Sequence, residues 1–154
     1  MSVVVTFSTA TERFHVFEEN ELGFLFEQLS AADLVVGYNI RRFDYRVLSR
    51  YAPGSLAALP TLDLMDEIEE LAGHRVKLDN LARTTLGTAK GGSGANAPRL
   101  FREGLMFELV EYCTQDVRIT RDLFLHGLQR GVVAFKDSDG NRQEIAVDWR
   151  RYGP

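Results

Sequence analysis

The stretch that most constrains this chain is Leu105 to Leu128, LMFELVEYCTQDVRITRDLFLHGL, which at about 100° per residue reads as one long amphipathic helix. Leu105, Leu109, Cys113, Thr120, Leu123 and Phe124 fall on one side, and Glu108, Glu111, Arg118 and Arg121 fall largely on the other. Asp116 lies in the middle of the apolar side, with Tyr112 one turn before it on the same face. A carboxylate there needs a partner, because an unpaired buried charge costs several kcal/mol. An arginine, a set of backbone amides or a metal ion would each serve.

A second helix repeats the pattern. Along Arg41 to Tyr51 the apolar side holds Phe43, Val47, Leu48 and Tyr51, with Asp44 among them, while Arg42, Arg46 and Arg50 form a stripe at i, i+4, i+8. Two inward acids on separate helices, near the end of a buried strand, suit a metal site with oxygen ligands. Simpler readings compete. Asp44 lies in a first turn, where a carboxylate is favoured as a cap; Asp116 could join a buried salt bridge, and Tyr112 could be an ordinary core tyrosine. A basic stripe is most often a solvated face.

The remaining elements follow in order. Ser2–Ser8 is β-branched and apolar and reads as a strand, and Arg13–Phe17 alternates like its partner. A helix over Glu21–Ala31 carries Leu22, Leu25, Phe26 and Leu29 on one face. Asp33–Tyr38 reads as a strand buried in a parallel sheet, and Leu62–Leu64 as a brief one before a helix to Gly73. Leu78–Leu86 is a short helix with Gly87 as its C-cap; Thr88–Pro98, TAKGGSGANAP, is a low-complexity loop. The strands VVAFKD and EIAVDW form a hairpin across DSDGNR. The order predicts a mixed α/β sheet in one domain, 1–154, that ends in a hairpin at 131–149.

With 154 residues, 45% hydrophobic and 26% charged, the composition is that of a globular domain. One cysteine excludes an internal disulfide framework and suits a reducing compartment, no apolar run approaches a membrane span, and no secretory signal opens the chain. A cytoplasmic protein without membrane contact is the expectation. A net charge of −4 argues against non-specific coating of nucleic acid but leaves room for local phosphate contacts. Asp137-x-Asp139-x-Asn141 is not a calcium loop, since Arg142 stands where glycine is required; His15, His74 and His126 lack zinc spacing. Glu67, Glu69 and Glu70 read as a wet helix face.

Leu34–Leu48, LVVGYNIRRFDYRVL, an apolar strand followed by N-x-x-x-F-D, together with Tyr112–Asp116, YCTQD, as Y-x-x-x-D, resembles the DEDD superfamily of 3′→5′ exonucleases. The likeness is to its tyrosine subclass, found as proofreading domains of DNA polymerases, and covers about residues 1–128. It implies a ribonuclease H-like fold. It also implies metal-dependent hydrolysis of single-stranded DNA or RNA, with Asp44 and Asp116 as ligands of Mg²⁺ or Mn²⁺ and Tyr112 orienting the attacking water. Asn39 and Phe43 would contact the 3′-terminal nucleotides. Apart from the resemblance, the stripe Arg42, Arg46 and Arg50 could steer a phosphate backbone, with Lys90 and the glycine-rich loop closing over it. Two cations about 4 Å apart are what in-line phosphodiester hydrolysis uses.

The family's first motif, D-x-E, occurs nowhere in the chain. In the family its strand lies mid-sheet, between what would be Ser2–Ser8 and Leu34–Tyr38 here, so two strand edges should be exposed. Three explanations are expected to divide the possibilities: an N-terminally truncated piece of a longer enzyme, a catalytically silent nucleic-acid- or protein-binding module, or a chain that fills the gap with another segment, such as the C-terminal hairpin or a strand from a second copy in a self-associated dimer. The first is favoured. On any of them, the chain alone should have little nuclease activity.

Overall fold

The computed structural model describes residues 3–88 and 96–152. Val3–Ser8 (β1) and Arg13–Glu18 (β2) pair antiparallel, Val3 opposite Glu18 and Ser8 opposite Arg13. Leu22–Ala31 (α1) follows a 3₁₀ turn and buries Leu22, Leu25, Phe26 and Leu29, the i, i+3, i+4, i+7 set read from the sequence. Val35–Gly37 (β3) runs parallel to Thr61–Asp63 (β4), with Gly37 opposite Asp63. The crossover between them contains the segment Ile40–Asp44 and a single turn, Tyr45–Leu48 (α2).

Leu64–Ala72 (α3) and Leu78–Leu86 (α4) each end at a glycine in the left-handed region, Gly73 at φ 84° and Gly87 at φ 73°. Of the expected loop Thr88–Pro98, residues 89–95 and hence Lys90 lie outside the described residues. Asn96–Pro98 correct that expectation, because they open a helix, Asn96–Arg102 (α5); a proline is tolerated in a first turn, where its missing N–H would have no acceptor. Met106–Arg130 (α6) is the long helix, and Val132–Lys136 (β5) pairs antiparallel with Arg142–Ala146 (β6) before a 3₁₀ turn at Trp149–Tyr152. No helix among the described residues is long and apolar enough to cross a membrane.

The class is mixed α/β, as expected, but the sheet is divided. Among the described residues the strands form three two-stranded ladders, β1–β2, β3–β4 and β5–β6. β1 and β3 share no ladder, and both pack against α6. The helix therefore lies against two ladders that no strand-to-strand hydrogen bonds join among the described residues. The other edges are managed. Asn80 of α4 bonds both Lys136 N–H and Lys136 C=O, and Thr85 Oγ1 bonds both Ala134 N–H and Ala134 C=O, so β5 is covered on its far side. Arg142 and Glu144 place charge along β6, a common protection for an exposed edge.

Two apolar clusters carry the burial. One joins Leu62, Leu64, Ile68, Val76, Leu81, Ile119 and Leu123 to Val133, Phe135, Ile145 and Trp149. The C-terminal hairpin thus contributes Val133, Phe135 and Ile145 to the main core. Trp149 has 0% exposure and lies against Gly127 of α6, where any Cβ would come within 2.2 Å of the indole. The second cluster links Phe17 and α1 to Tyr45, Leu48 and Leu56. On the outer side of α6, Arg121 and Arg118 lie 4.7 Å from the Phe7 ring and 5.2 Å from the Phe14 ring, so these cations cover the β1–β2 hairpin.

Candidate functional site

The site is built where β3 and β4 end. Gly37, the last residue of β3, is in contact with Ile40, and a Cβ there would meet the Ile40 side chain at 2.3 Å. Tyr38 then turns inward and donates from its hydroxyl to the Val76 carbonyl. Burial and the negative charge of Asp63 raise its pKa well above that of a free phenol. Asn39 adopts φ 61°, ψ 28°, the left-handed conformation that asparagine tolerates better than most residues. The chain re-enters a helical path only after that reversal.

The path is not the α-helix the sequence suggests. Ile40–Asp44 is a π-helical turn, followed by four residues of α-helix. A wider turn advances the phase, so the buried side chains are Tyr45 and Leu48. Phe43, expected on the apolar side, is 64% exposed, and Tyr51 is 39% exposed. Asp44, expected inward, reaches the solvent-exposed rim. The capping reading of Asp44 also fails, since its side chain makes no cap hydrogen bond to α2. Single π turns recur at functional sites because they re-aim side chains without ending the helix.

Asp44 nevertheless sits among enough protein to feel it. Desolvation is the leading cause that lifts its pKa to about 6, with its own backbone amide opposing and the charges of Asp63 and Asp116 adding to the rise. The two acids singled out from separate helices are therefore neighbours in the fold. Asp116 and Tyr112 are both half-buried on α6, and the Asp116 carbonyl accepts a hydrogen bond from the Thr120 hydroxyl at 2.8 Å.

The remaining predicted contacts divide. Asn39 is half-buried, and its amide oxygen Oδ1 is enclosed with no hydrogen-bond partner among the described residues. Arg42 is already engaged by α3: its guanidinium lies 3.7 Å from Asp66 and 3.3 Å from Glu69, and Glu69 also meets Arg75 at 3.5 Å. Arg46 is exposed and makes no ion pair among the described residues. The face Glu67–Glu70 is less idle than the sequence suggests, since Glu67 also binds Arg151 at 2.8 Å and the Tyr152 hydroxyl at 2.6 Å.

Sequence reasoning missed Asp63. It is 2% exposed, caps α3 by accepting from Met65 N–H at 3.0 Å, and also accepts from the amides of Asn39 and Arg41. Thr61 adds two ties to the same segment, one from its carbonyl to the Arg41 guanidinium at 2.8 Å and one from its hydroxyl to that of Tyr45 at 2.7 Å. The available signal was an aspartate directly before the helical stretch LMDEIEEL, a common N-cap.

As a metal centre the set is short. Asp44 and Asp116 are hard oxygen ligands of the kind Mg²⁺ and Mn²⁺ take. A pair of cations needs more than two carboxylates, and no group of three or more His, Cys, Asp or Glu able to hold a metal ion occurs among the described residues. The residues present do not fit a two-metal site.

Comparison with known families gives one match: the model of an RNase H superfamily family covers residues 3–126. No curated protein and no solved structure matches the chain. The matched span begins at β1 and ends within α6, so it takes in Asn39, Asp44, Tyr112 and Asp116 together.

Proposed function

The chain belongs to the RNase H superfamily, and on that premise we propose that it carries part of a 3′→5′ exonuclease site of the DEDD tyrosine type, directed at single-stranded DNA or RNA. The observation that carries this reading is the convergence of Asp44 and Asp116 from opposite parts of the chain, close enough for one charge to raise the pKa of the other. Tyr112 lies one helical turn from Asp116, within reach of whatever Asp116 holds. Asn39, half-buried at the start of the turn, carries the amide for a terminal sugar hydroxyl, and the exposed Phe43 ring offers a face for a base. Arg46, exposed and in no ion pair among the described residues, can meet phosphate without giving up a protein partner.

Mg²⁺ or Mn²⁺ is the cofactor of the complete site in this reading. The ligand shortfall and the lack of a ladder between β1 and β3 among the described residues support a site that these residues leave incomplete. That same shortfall favours a second reading, a silent nucleic-acid-binding module on a nuclease scaffold. Both predict single-strand binding; they part on cleavage once the missing strand is supplied.

The test is fluorescence anisotropy of 5′-labelled oligonucleotides with this chain, followed by a denaturing gel in Mg²⁺ and in Mn²⁺. Binding that weakens with salt, prefers single strands and is accompanied by little shortening is the expected result. Absence of any salt-dependent binding at low ionic strength sinks both readings. Rapid shortening that disappears in Asp116→Ala overturns the claim that the site is incomplete.

A further inference from the structure

We infer that Asp63, on β4, is the positioning residue of the site: it holds the Asn39–Asp44 turn in its working geometry. This rests on the reading of that turn as the strand-binding element. The turn is a helix start with no cap of its own. Asn39 occupies the N-cap position, yet its side chain makes no cap hydrogen bond, and the first backbone bond of the turn is Phe43 N–H to the Asn39 carbonyl. The amides before that bond have no acceptor within the helix, as at any helix start.

Asp63 supplies the acceptors from 24 residues away in sequence. Its Oδ1 accepts from Asn39 N–H at 2.8 Å and its Oδ2 from Arg41 N–H at 3.0 Å, while Oδ1 also accepts from Met65 N–H at 3.0 Å. One buried side chain thus pins three things together: the end of β3, the π turn that carries Asp44, and the start of α3. The last of these matters because α3 brings Asp66 and Glu69 to Arg42. Carboxylate-to-amide bonds are stronger than neutral ones, and here the donors are main-chain groups that fix backbone rather than a flexible side chain.

The chemistry of the tether is specific. Asparagine at this position has one acceptor oxygen and turns an N–H₂ group toward an N–H donor. Serine retains a cap for α3 but is too short to reach the turn. Asp63→Asn should therefore loosen one of the two turn amides, and Asp63→Ser should loosen both with the α3 cap kept.

The experiment measures amide hydrogen exchange in wild type, Asp63→Asn and Asp63→Ser, alongside single-strand affinity in a double-mutant cycle with Asn39→Ala. Exchange at Asn39 and Arg41 is expected to quicken about tenfold or more in Asp63→Ser, while Leu123 in the core keeps its protection. Asn39→Ala should then cost little further affinity in the Asp63→Ser background, whereas Arg46→Ala should cost its full factor in either background. Unchanged exchange at both amides overturns the tether. Full additivity of Asp63→Ser with Asn39→Ala overturns the positioning role even if the tether is real. If wild type binds no single strand, the proposed function falls and the positioning role with it, while the exchange measurement still decides whether Asp63 holds the turn.

Discussion

We predict that Asp44→Asn stabilises the fold at pH 8 and does so much less at pH 4. The distance from the ordinary 3.8 of an aspartate to about 6 corresponds, at 1.36 kcal/mol per pH unit, to at most about 3 kcal/mol. Because Asp44 is solvent-exposed at the rim, water screens much of this, and about 1–2 kcal/mol is the expected gain. A carboxyl whose pKa is higher in the folded than in the unfolded chain binds protons more readily when folded. Stability then falls as pH rises from about 4 to 6, and the full cost is present above 6. By pH 4 the advantage of asparagine should shrink to about half a kcal/mol. The substitution forfeits no cap, since the Asp44 side chain makes none, and asparagine and aspartate have similar helix propensity. Urea denaturation followed by the fluorescence of Trp149, the sole tryptophan and a buried one, measures this directly. A variant less stable than wild type at pH 8, or equally stabilised at both pH values, refutes the account of Asp44 as a charge held at a cost.

Three further perturbations are expected to read out separate parts of the fold. Gly127→Ala drives a methyl into the Trp149 ring and should cost about 1–3 kcal/mol in urea denaturation despite the better helix propensity of alanine; the cost should fall in a Trp149→Leu background. Thr85→Val removes both bonds to Ala134 and should cost about 1–2 kcal/mol, and with Asn80→Ala should promote concentration-dependent association in sedimentation, because the β5 edge loses its cover. In single-strand binding, Arg46→Ala should lower the slope of log K against log salt by about one, and Arg42→Ala by less, since Asp66 and Glu69 already neutralise part of its charge.

Where one-dimensional pattern and local chemistry decide an element, the sequence was sufficient. The i, i+3, i+4, i+7 spacing of α1, the left-handed caps at Gly73 and Gly87, and the alternation of the two hairpins depend on neighbours a few residues away. The motif spacing likewise placed Asp44, Tyr112 and Asp116 in a superfamily span that the comparison supports in its coarser form. The phase of Arg41–Tyr51 was not legible in that way. An α period puts Phe43 and Asp44 inward, and only the extra residue in the π turn puts Tyr45 there instead.

By itself, then, the sequence determined the α/β class and the long helix, because these follow from periodicity. Tertiary structure alone decided the rest. The carboxylate of Asp63 reaches the turn because β4 lies parallel to β3, with Asp63 opposite Gly37. Arg42 is drawn to α3, and the hairpin enters the core through Trp149 against Gly127. Each of these is a meeting of residues far apart in the chain, and their partners exist only once the backbone has been folded to bring them within bonding distance.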